Sequence, residues 1–297
     1  MARRRAWILN LDADLELGEG ARYTPTERVL EAMRPHVARL RATLLDEGDV
    51  LLDGVDDPKG ARGLPGRAFC PTPRAIARLI RAGATPEPHP SAEILARVNS
   101  RAFASSLGAT LPGGEFCRNP AHAEGKLAQP PPLGHAWRVK RAFSMAGRGQ
   151  RVIDPSAITE HDRAFVRRST AQGGVQVEPD VAILDEFGLH GLLAADGTYE
   201  LGALVRQRCD GHGAWLSSER VVDLAALGDV PDRLLDEGRR VAQALARAGY
   251  FGPFGVDAYT YRDGDGAIRL QPRSEINARY SMGFAVGAAT LLRRSPS

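Results

Sequence analysis

Glu275-Ile-Asn-Ala-Arg279 is the most informative segment of the chain, and it follows a strand-turn-strand pattern over residues 256–270. If residues 275–279 are extended, Glu275, Asn277 and Arg279 point to one face of a sheet, because strand side chains alternate between faces. A carboxylate, an amide oxygen and a guanidinium on one face suit Mg²⁺ and phosphate, since Mg²⁺ takes oxygen ligands from protein, water and phosphates. The solvated edge of a half-exposed strand is the alternative interpretation of the same pattern.

The composition is that of an ordinary globular protein. Hydrophobic residues make up 43% and charged residues 25% of the 297-residue chain, and the formal net charge is +3. That charge is too small, and the basic residues are too scattered, to predict a nucleic-acid partner. No apolar run approaches the roughly 18 residues that a membrane span needs, so no membrane partner is predicted either.

Cysteine and lysine are both rare. The chain has an odd number of cysteines without metal-ligand spacing, which favours free, buried thiols in a reducing compartment, and we expect a cytoplasmic protein: Cys70, Cys117 and Cys209. Of the 39 basic residues, three are lysines: Lys59, Lys126 and Lys140. Because arginine otherwise supplies the positive charge, each lysine is a candidate for a role that needs a compact ammonium.

The first 90 residues alternate strand and helix patterns, which is typical of a small parallel-sheet domain. The predicted elements are strands at residues 6–11, 50–52 and 67–70, and helices at 26–45 and 73–81. Pro35 could kink or divide the first helix. The segment Thr85-Pro-Glu-Pro-His-Pro90 predicts a stiff connector and a domain boundary.

Beyond that connector the pattern changes to longer elements with one extended irregular excursion. The predicted elements are helices at 92–107, 161–168 and 231–248, an irregular stretch at 108–135, and strands at 137–143, 150–153, 175–177, 191–193, 254–261 and 267–270, with partial alternation at 200–208. Asp263-Gly-Asp-Gly266 is a strong hairpin signal between the last two strands.

A lysine-bearing strand runs into a small-residue loop at Arg138-Val-Lys-Arg-Ala-Phe-Ser-Met-Ala-Gly-Arg-Gly-Gln150. Glycines let backbone N–H groups approach phosphate oxygens, and Lys140 supplies a point charge. The segment is neither a dinucleotide fingerprint nor a P-loop, since it lacks both glycine-rich signatures. An ordinary hairpin tip is the alternative interpretation.

Several candidate segments follow one another along the chain: this lysine strand and glycine loop, Val175-Gln-Val-Glu-Pro-Asp-Val181, Glu186, Asp257 and Glu275–Arg279. Their ordered series resembles the ATP-grasp superfamily of ATP-dependent ligases. The resemblance covers most of the chain and implies an α/β (α+β) fold with a nucleotide cleft between two subdomains. It implies a leading α/β domain at 1–90, a central nucleotide-covering subdomain at 91–178, and a C-terminal sheet subdomain with the metal site at 179–297.

The resemblance also implies roles for single residues on the nucleotide side. Lys140 would bind the α- or β-phosphate, and the loop over the triphosphate would use Ser144, Gly147, Arg148 and Gly149. The remaining nucleotide contacts would be Glu178 and Val181 at the adenine hinge and Glu186 at the ribose hydroxyls. As alternatives, Glu178 could be a loop acid, Glu186 could be exposed and Asp257 could cap the hairpin.

On the metal side, the resemblance implies Asp257, Glu275 and Asn277 as Mg²⁺ ligands, and Arg279 as the group that holds the transferring phosphate or acyl phosphate. For Asp257 to share a face with Glu275, the hairpin needs an odd-length loop or a bulge, which Pro272 could mark because proline cannot donate to the ladder. Without such an irregularity, Gln271 or another group would replace Asp257.

Two further features bear on the substrates. Members of the superfamily often have a second lysine at the start of the central domain, where this chain offers Arg101, which can also bind phosphate. Arg206 and Arg208 are candidates for a substrate carboxylate, with an exposed loop as the alternative. Four histidines form no ligand pattern and are expected to be structural or exposed: His122, His135, His190 and His212.

The resemblance therefore implies an ATP-dependent carboxylate–amine ligase that uses ATP and Mg²⁺ and releases ADP and phosphate through an acyl phosphate, with Lys140 and Arg279 catalytic. It would join an amino acid or peptide, as the carboxylate or the amine, in an acceptor pocket built from loops 111–135 and 206–216. A homodimer is implied by resemblance alone. The alternatives are a kinase-like phosphotransferase and a nucleotide-binding protein without turnover.

Overall fold

The computed structural model describes residues 4–53, 57–109, 111–145, 147–211 and 215–291. The first unit is a parallel sheet with strand order β2-β1-β3-β4 and helices around it. Its elements are β1 (Ala6–Ile8), α1 (Ala13–Glu19), α2 (Glu27–Leu44), β2 (Val50–Leu51), β3 (Pro65–Ala68), α3 (Pro73–Arg81) and β4 (Thr85–Pro86). The parallel sheet predicted for this region is therefore present.

One local signal in this unit acts as predicted, Pro35 does not divide its helix, and one helix was not predicted. Helix α3 has Pro73 in its first turn, where the missing N–H costs nothing. Helix α2 continues through Pro35 as one element. The connector begins with a strand, β4, and α1 was not predicted, because its buried face carries acids rather than apolar residues.

A second unit follows, an antiparallel sheet with strand order β5-β8-β6-β7. Its elements are α4 (Ala92–Asn99), α5 (Arg101–Ser106), β5 (Glu115–Cys117), α6 (Pro120–Leu127), β6 (Trp137–Arg141), β7 (Gln150–Ile153), α7 (Glu160–Ala171) and β8 (Val175–Pro179). The single helix predicted at 92–107 is two helices, because Ser100 has extended backbone and its hydroxyl caps α5. The stretch 108–135 is not irregular throughout, since it holds β5 and α6, and Asn119 caps α6.

The third unit is a larger antiparallel sheet with strand order β12-β11-β9-β13-β14, in which β10 also pairs with β9. Its elements are β9 (Ala182–Leu193), β10 (Tyr199–Leu201), β11 (Val205–Cys209), β12 (Trp215–Arg220), α8 (Val230–Arg247), β13 (Gly252–Arg262), β14 (Ile268–Asn277) and α9 (Phe284–Gly287). Strands β9 and β14 are much longer than predicted, the region 200–208 is two strands, and β12 was missed. Exposed or polar residues in these strands hide the period-2 pattern.

The apolar cores join the three units. Helices α4 and α5 bury Leu95, Val98 and Ala104 against α8 and the third sheet. After β14 the chain returns to the first unit, where Tyr280 and Phe284 pack in a cluster with residues of β1 and α2. No helix in the described part of the chain is both long enough and apolar enough to cross a membrane.

Candidate functional site

A cleft of about 870 Å³ lies between the second and third sheets, and the first unit lines part of its wall. Most of the residues singled out from the sequence line this cleft: Arg101, Lys140, Ser144, Gly147, Glu178, Val181, Glu186, Arg206, Arg208, Asp257, Glu275, Asn277 and Arg279. Arg148 and Gly149, from the small-residue loop, are not among its lining residues. His212 lies outside the described residues.

Lys140 enters the cleft from β6, on the wall formed by the second sheet. Its ammonium forms an ion pair with Glu178 of the neighbouring strand β8, and both side chains are largely buried. Arg138, two residues earlier on the same strand and therefore on the same face, pairs with Asp180 at 2.5 Å and also lines the cleft. The sequence analysis missed Arg138, although its spacing from Lys140 was a usable signal.

The loop between β6 and β7 lies beside this wall. Gly147 and Gly149 have φ values of +70° and +81°, which favour glycine because a Cβ is strained there. The Arg148 amide donates to the Met145 carbonyl at 3.0 Å, which closes a turn. Residue 146 lies outside the described part of the loop.

Arg101, at the start of α5, joins this loop to the opposite wall. Its Nη1 donates to the Arg141 carbonyl at 2.8 Å and to Ser144 Oγ at 2.9 Å, and its Nη2 lies 2.9 Å from Glu275 Oε2. Its own amide donates to the Ala142 carbonyl. Among the described residues the buried Nε has no hydrogen-bond partner. The guanidinium thus connects the end of β6 and the loop after it to Glu275 of the third sheet.

Asp257 and Glu275 lie on the third sheet as a directly opposed pair on neighbouring strands. The hairpin loop spans residues 263–267, an odd number, so odd-numbered residues of the two strands share a face. Tyr259 pairs with Gln271, and the next pair is Asp257 with Glu275, so β14 uses four residues where β13 uses two. The extra residues of β14 form a bulge that contains Pro272. The sequence predicted that either an odd-length loop or a bulge would be needed, and the hairpin has both.

Hydrogen bonds hold the Asp257 carboxylate in place. Gln207 Nε2 donates to one oxygen and Asn277 Nδ2 to the other, each at 2.8 Å. Because Asn277 donates through its nitrogen, its oxygen is the atom that it would offer to a cation. Gln207 was not predicted as a site residue, because a single glutamine on a strand such as β11 gives no recognisable sequence signal.

The electrostatics of this carboxylate pair fit a divalent cation. Burial, and then the charge of Glu275, raise the pKa of Asp257 to about 6. Because burial and a neighbouring carboxylate oppose the ionisation of Asp257, a cation between the two carboxylates would stabilise its charged form, and the third donor is an amide oxygen. This is a donor set that Mg²⁺ accepts.

Arg279 lies just beyond β14 and is held by the first unit. Its Nε and Nη2 donate to the two oxygens of Asp14 on α1, at 3.2 and 2.6 Å, while Nη1 donates to the Tyr280 carbonyl at 3.1 Å. The guanidinium also stacks 5.5 Å from the Phe69 ring centre. Burial lowers the pKa of Arg279, but the charge and hydrogen bonds of Asp14, together with the charges of Cys70 and Glu275, outweigh burial and the pKa is raised.

Asp14 was missed by the sequence analysis. The signal was available in the alternating acids after β1, because the carboxyl ends of parallel strands are where ligands usually bind.

The third sheet also carries Glu186, Arg206 and Arg208 into the cleft. Glu186 accepts a hydrogen bond from the Cys209 thiol, and burial together with this contact raises the pKa of Cys209. Arg206 lies 3.4 Å from Asp185, and Arg208 lies 3.9 Å from Glu219. Both arginines therefore already face acids of their own sheet.

The far end of the cleft differs from the acceptor pocket predicted from loops 111–135 and 206–216. No residue of 111–135 lines the cleft within the described ranges, since β5 is an edge strand of the second sheet and α6 packs on the face of that sheet opposite Lys140. The lining there comes instead from the first unit and the chain after β14: Leu11, Asp14, Ala32, Met33, His36, Phe69, Ser281 and Met282. Only the 206–216 part of that prediction reaches the cleft.

One group of possible ligands forms outside the cleft. Folding brings Glu115, Cys117 and His122 close enough for their ligand atoms to lie within 4.8 Å of one another. Lys126 already lies 3.3 Å from Glu115, so its ammonium balances that carboxylate.

Comparisons with known proteins agree on the fold. No family model and no curated protein matches the sequence. Among solved structures, the N5-carboxyaminoimidazole synthetase of Staphylococcus aureus in complex with ADP is 12% identical, with a TM-score of 0.53 over 99% of this chain and 79% of that one.

Two further structures are similar. The biotin carboxylase of Campylobacter jejuni in an ATP complex is 12% identical, with a TM-score of 0.56 over 95% of this chain and 67% of that one. The biotin carboxylase domain of Hydrogenobacter thermophilus 2-oxoglutarate carboxylase, with MgADP and bicarbonate, is 13% identical, with a TM-score of 0.55 over 96% of this chain and 66% of that one. The chain has the ATP-grasp fold.

Proposed function

We propose that this protein is an ATP-dependent carboxylate–amine ligase that forms ADP and phosphate. The observation that carries the proposal is that Lys140 and Arg101 face Asp257, Glu275 and Asn277 across one cleft. Ammonium and guanidinium groups bind phosphate oxygens, and the carboxylate pair supplies a place for a cation. The similar structures named above contain ADP, MgADP or an ATP complex, which supports the same ligand here.

In this proposal the nucleotide lies between the two sheets. Lys140 binds the phosphates, Glu178 and Val181 border the adenine, and Glu186 binds the ribose. The loop at 144–149 covers the triphosphate and keeps water from the reacting groups. Asp257, Glu275 and Asn277 would hold Mg²⁺, which would supply positive charge to offset that of the phosphates.

The reaction takes place in two steps. A substrate carboxylate oxygen attacks the γ-phosphorus, the bond to the β-phosphate oxygen breaks, and ADP leaves with the formation of an acyl phosphate. An amine nitrogen then attacks the acyl carbon, the C–O bond to phosphate breaks, and the nitrogen loses a proton. Arg279, whose orientation Asp14 fixes, and Lys140 stabilise the negative charge on the transferring group. The narrower form of this proposal is that the enzyme joins an amino acid or a peptide.

The test measures ADP and phosphate release with carboxylate and amine panels, in wild type and in Lys140→Ala and Glu275→Ala. We expect either variant to lose ADP release by at least about 100-fold while it keeps its circular-dichroism spectrum and melting temperature. Lys59→Ala, which removes an exposed lysine far from the cleft, is the matched control and should keep full activity. Near-normal turnover in either cleft variant would contradict the role of that residue.

Amine dependence separates the ligase from a phosphotransferase. A ligase releases phosphate and needs the amine for sustained turnover, whereas a kinase-like enzyme accumulates a phosphorylated product without phosphate release. A thermal shift with ATP and Mg²⁺ but no turnover on any panel would instead indicate a nucleotide-binding protein.

A further inference from the structure

The internal methionines of this chain all line the cleft. The sequence has four methionines, and the three beyond Met1 come from helix α2, the loop after β6 and the segment after β14: Met33, Met145 and Met282. Methionine has a flexible, polarisable side chain that adapts to irregular apolar shapes and recurs on binding surfaces. Three such residues from three elements on one cavity indicate a wall made for an apolar ligand.

Two of these methionines belong to a larger apolar surface, which we name the apolar wall: Leu11, Met33, Phe69, Trp215, Leu216 and Met282. Leu11, Phe69 and Met282 belong to one packed cluster with Tyr280 and Phe284. On the other side, His36 of α2 lies 6.2 Å from Trp215, ring centre to ring centre. Arg39 of the same helix donates to the Leu216 carbonyl at 3.1 Å.

The apolar wall adjoins the predicted phosphate-binding arginine. The Phe69 ring, which belongs to the wall, stacks under the Arg279 guanidinium. Met282 is three residues beyond Arg279 along the chain. A carboxylate placed at Arg279 for phosphorylation would therefore direct the rest of its molecule toward this wall.

The charges around the wall are already matched. Arg279 is paired with Asp14, Arg206 with Asp185, and Arg208 faces Glu219. Asp210, which also lines the cleft, has a partner. Burial, and then the charge of Arg39, lower the pKa of His36, so its imidazole is neutral at pH 7. A second negative charge on a substrate would therefore meet arginines that already lie beside acids, and the Glu186 carboxylate of the same lining would repel it.

We propose that the carboxylate substrate has an uncharged, apolar body, and that the apolar wall binds it. This inference rests on the proposed ligase function and adds the class of the substrate. A charged body would lose its hydration against Met33, Phe69 and Met282 without a compensating ion pair, which is costly. Met33 and Phe69 are already buried, so an apolar body would remove mainly Trp215, Leu216 and Met282 from water.

The test uses hydroxylamine as the amine, so that the natural amine need not be known. Hydroxylamine nitrogen attacks the acyl carbon of the acyl phosphate, phosphate leaves, and a hydroxamate forms with the loss of one proton. The acids are 3-phenylpropionate and 4-methylpentanoate, compared with succinate and 4-aminobutyrate. We expect kcat/KM for hydroxamate formation to be at least about tenfold higher with the two apolar acids. Equal or higher rates with the charged acids would overturn the proposal.

A binding measurement keeps the test independent of turnover. Calorimetry with 3-phenylpropionate, in the presence of Mg²⁺ and a non-hydrolysable ATP analogue, compares wild type with Met33→Gln, which keeps side-chain length and adds polarity. We expect Met33→Gln to weaken binding by at least about tenfold. Ile80→Gln makes a similar change at an exposed residue of α3 that does not line the cleft, and it should bind as wild type does.

The two assays together separate the outcomes. If no acid gives a hydroxamate but 3-phenylpropionate binds and Met33→Gln weakens it, the ligase function fails and the apolar site stands. If 3-phenylpropionate does not bind, or binds wild type and Met33→Gln equally, the apolar site is wrong whether or not ADP is released.

Discussion

Arg101 shows at the scale of one residue how a change of side chain alters a site. Its guanidinium contacts the Arg141 carbonyl, Ser144 and Glu275 together, and a single ammonium on a shorter reach cannot span those three acceptors. A planar guanidinium therefore links the loop after β6 to Glu275 of the third sheet.

Replacing Arg101 with lysine should keep the charge and lose most of these contacts. Hydrogen bonds to charged groups contribute about 1.5–3 kcal/mol each, so we expect the Kd for ATP–Mg²⁺ to rise about tenfold or more. Fluorescence or calorimetric titration measures it. Arg118→Lys, at an exposed arginine that does not line the cleft, is the control, and an unchanged Kd in Arg101→Lys would show that the link is dispensable.

Asp257 should give the protein a pH dependence centred near pH 6. Its pKa is raised by burial and by Glu275, so as pH rises from about 4 through about 6 the apo protein loses the stability that the protonated carboxyl gives it. Over the same window the affinity for Mg²⁺–ATP should increase, because the cation needs the ionised form. Melting curves and Mg²⁺–ATP titrations at pH 5, 6 and 7 test both signs. If stability and affinity for Mg²⁺–ATP changed in the same direction with pH, the raised pKa of Asp257 would be contradicted.

Asp14 is the counter-charge of a buried arginine. Asp14→Ala leaves the Arg279 guanidinium buried without a carboxylate, which typically costs about 3–5 kcal/mol of unfolding free energy. Urea denaturation measures the loss. The double variant Asp14→Ala/Arg279→Met should recover part of it, and a single variant as stable as wild type would mean that water replaces the carboxylate.

At the scale of elements, strong local chemistry was predictable and tertiary context was not. Helix α3 was predicted to the residue because Pro73 starts it and Gly83 follows it, whereas α1 was missed because its buried face holds Asp14 and Glu16. Strand β9 was predicted only at its buried end, since the residues from 182 to 184 are exposed. Exposed edges and buried acids give no hydrophobic period to detect.

Helix α9 packs against β9 through a close approach that needs glycine. A Cβ on Gly287 would lie 2.8 Å from His190 Nδ1 and 3.0 Å from the Ala203 carbonyl, so Gly287→Ala must shift a ring or the backbone. We expect a loss of about 1–3 kcal/mol in urea unfolding. Gly125→Ala in α6, where a Cβ meets nothing within 4 Å, is the matched control and should be neutral or up to about 1 kcal/mol more stable.

At the scale of the whole molecule, the cleft is assembled from residues that are far apart in sequence. Lys140, Glu275 and Asn277 could be found because each lies in a recognisable local segment. Asp14 had a local signal, but its pairing with Arg279 did not, because the two residues are 265 positions apart. The apolar wall likewise combines distant segments of the chain. The sequence thus predicts the chemistry of the phosphate end better than the shape of the substrate end.

Acid stability of the whole protein should depend on His190. Burial lowers the pKa of His190 from the ordinary histidine value of 6.5 to about 4. As pH falls below 6.5, the unfolded chain therefore binds a proton before the folded protein does, which favours unfolding. Between pH 6.5 and 4 this should remove about 3 kcal/mol of unfolding free energy. His190→Leu, of similar volume, should lack that part of the pH dependence in urea titrations. An identical slope in both proteins would show that other groups cause the acid sensitivity.

The five-residue turn and the bulge at Pro272 also restrict how this protein can vary in length. A homologue that gained or lost one residue between Arg262 and Ile268 would move every side chain of one strand to the opposite face, and Glu275 would no longer oppose Asp257. A change of two residues would keep each side chain on its face of the sheet and would only shift which residues of β13 and β14 are paired. We therefore expect length variation in this hairpin among natural relatives to occur in even steps.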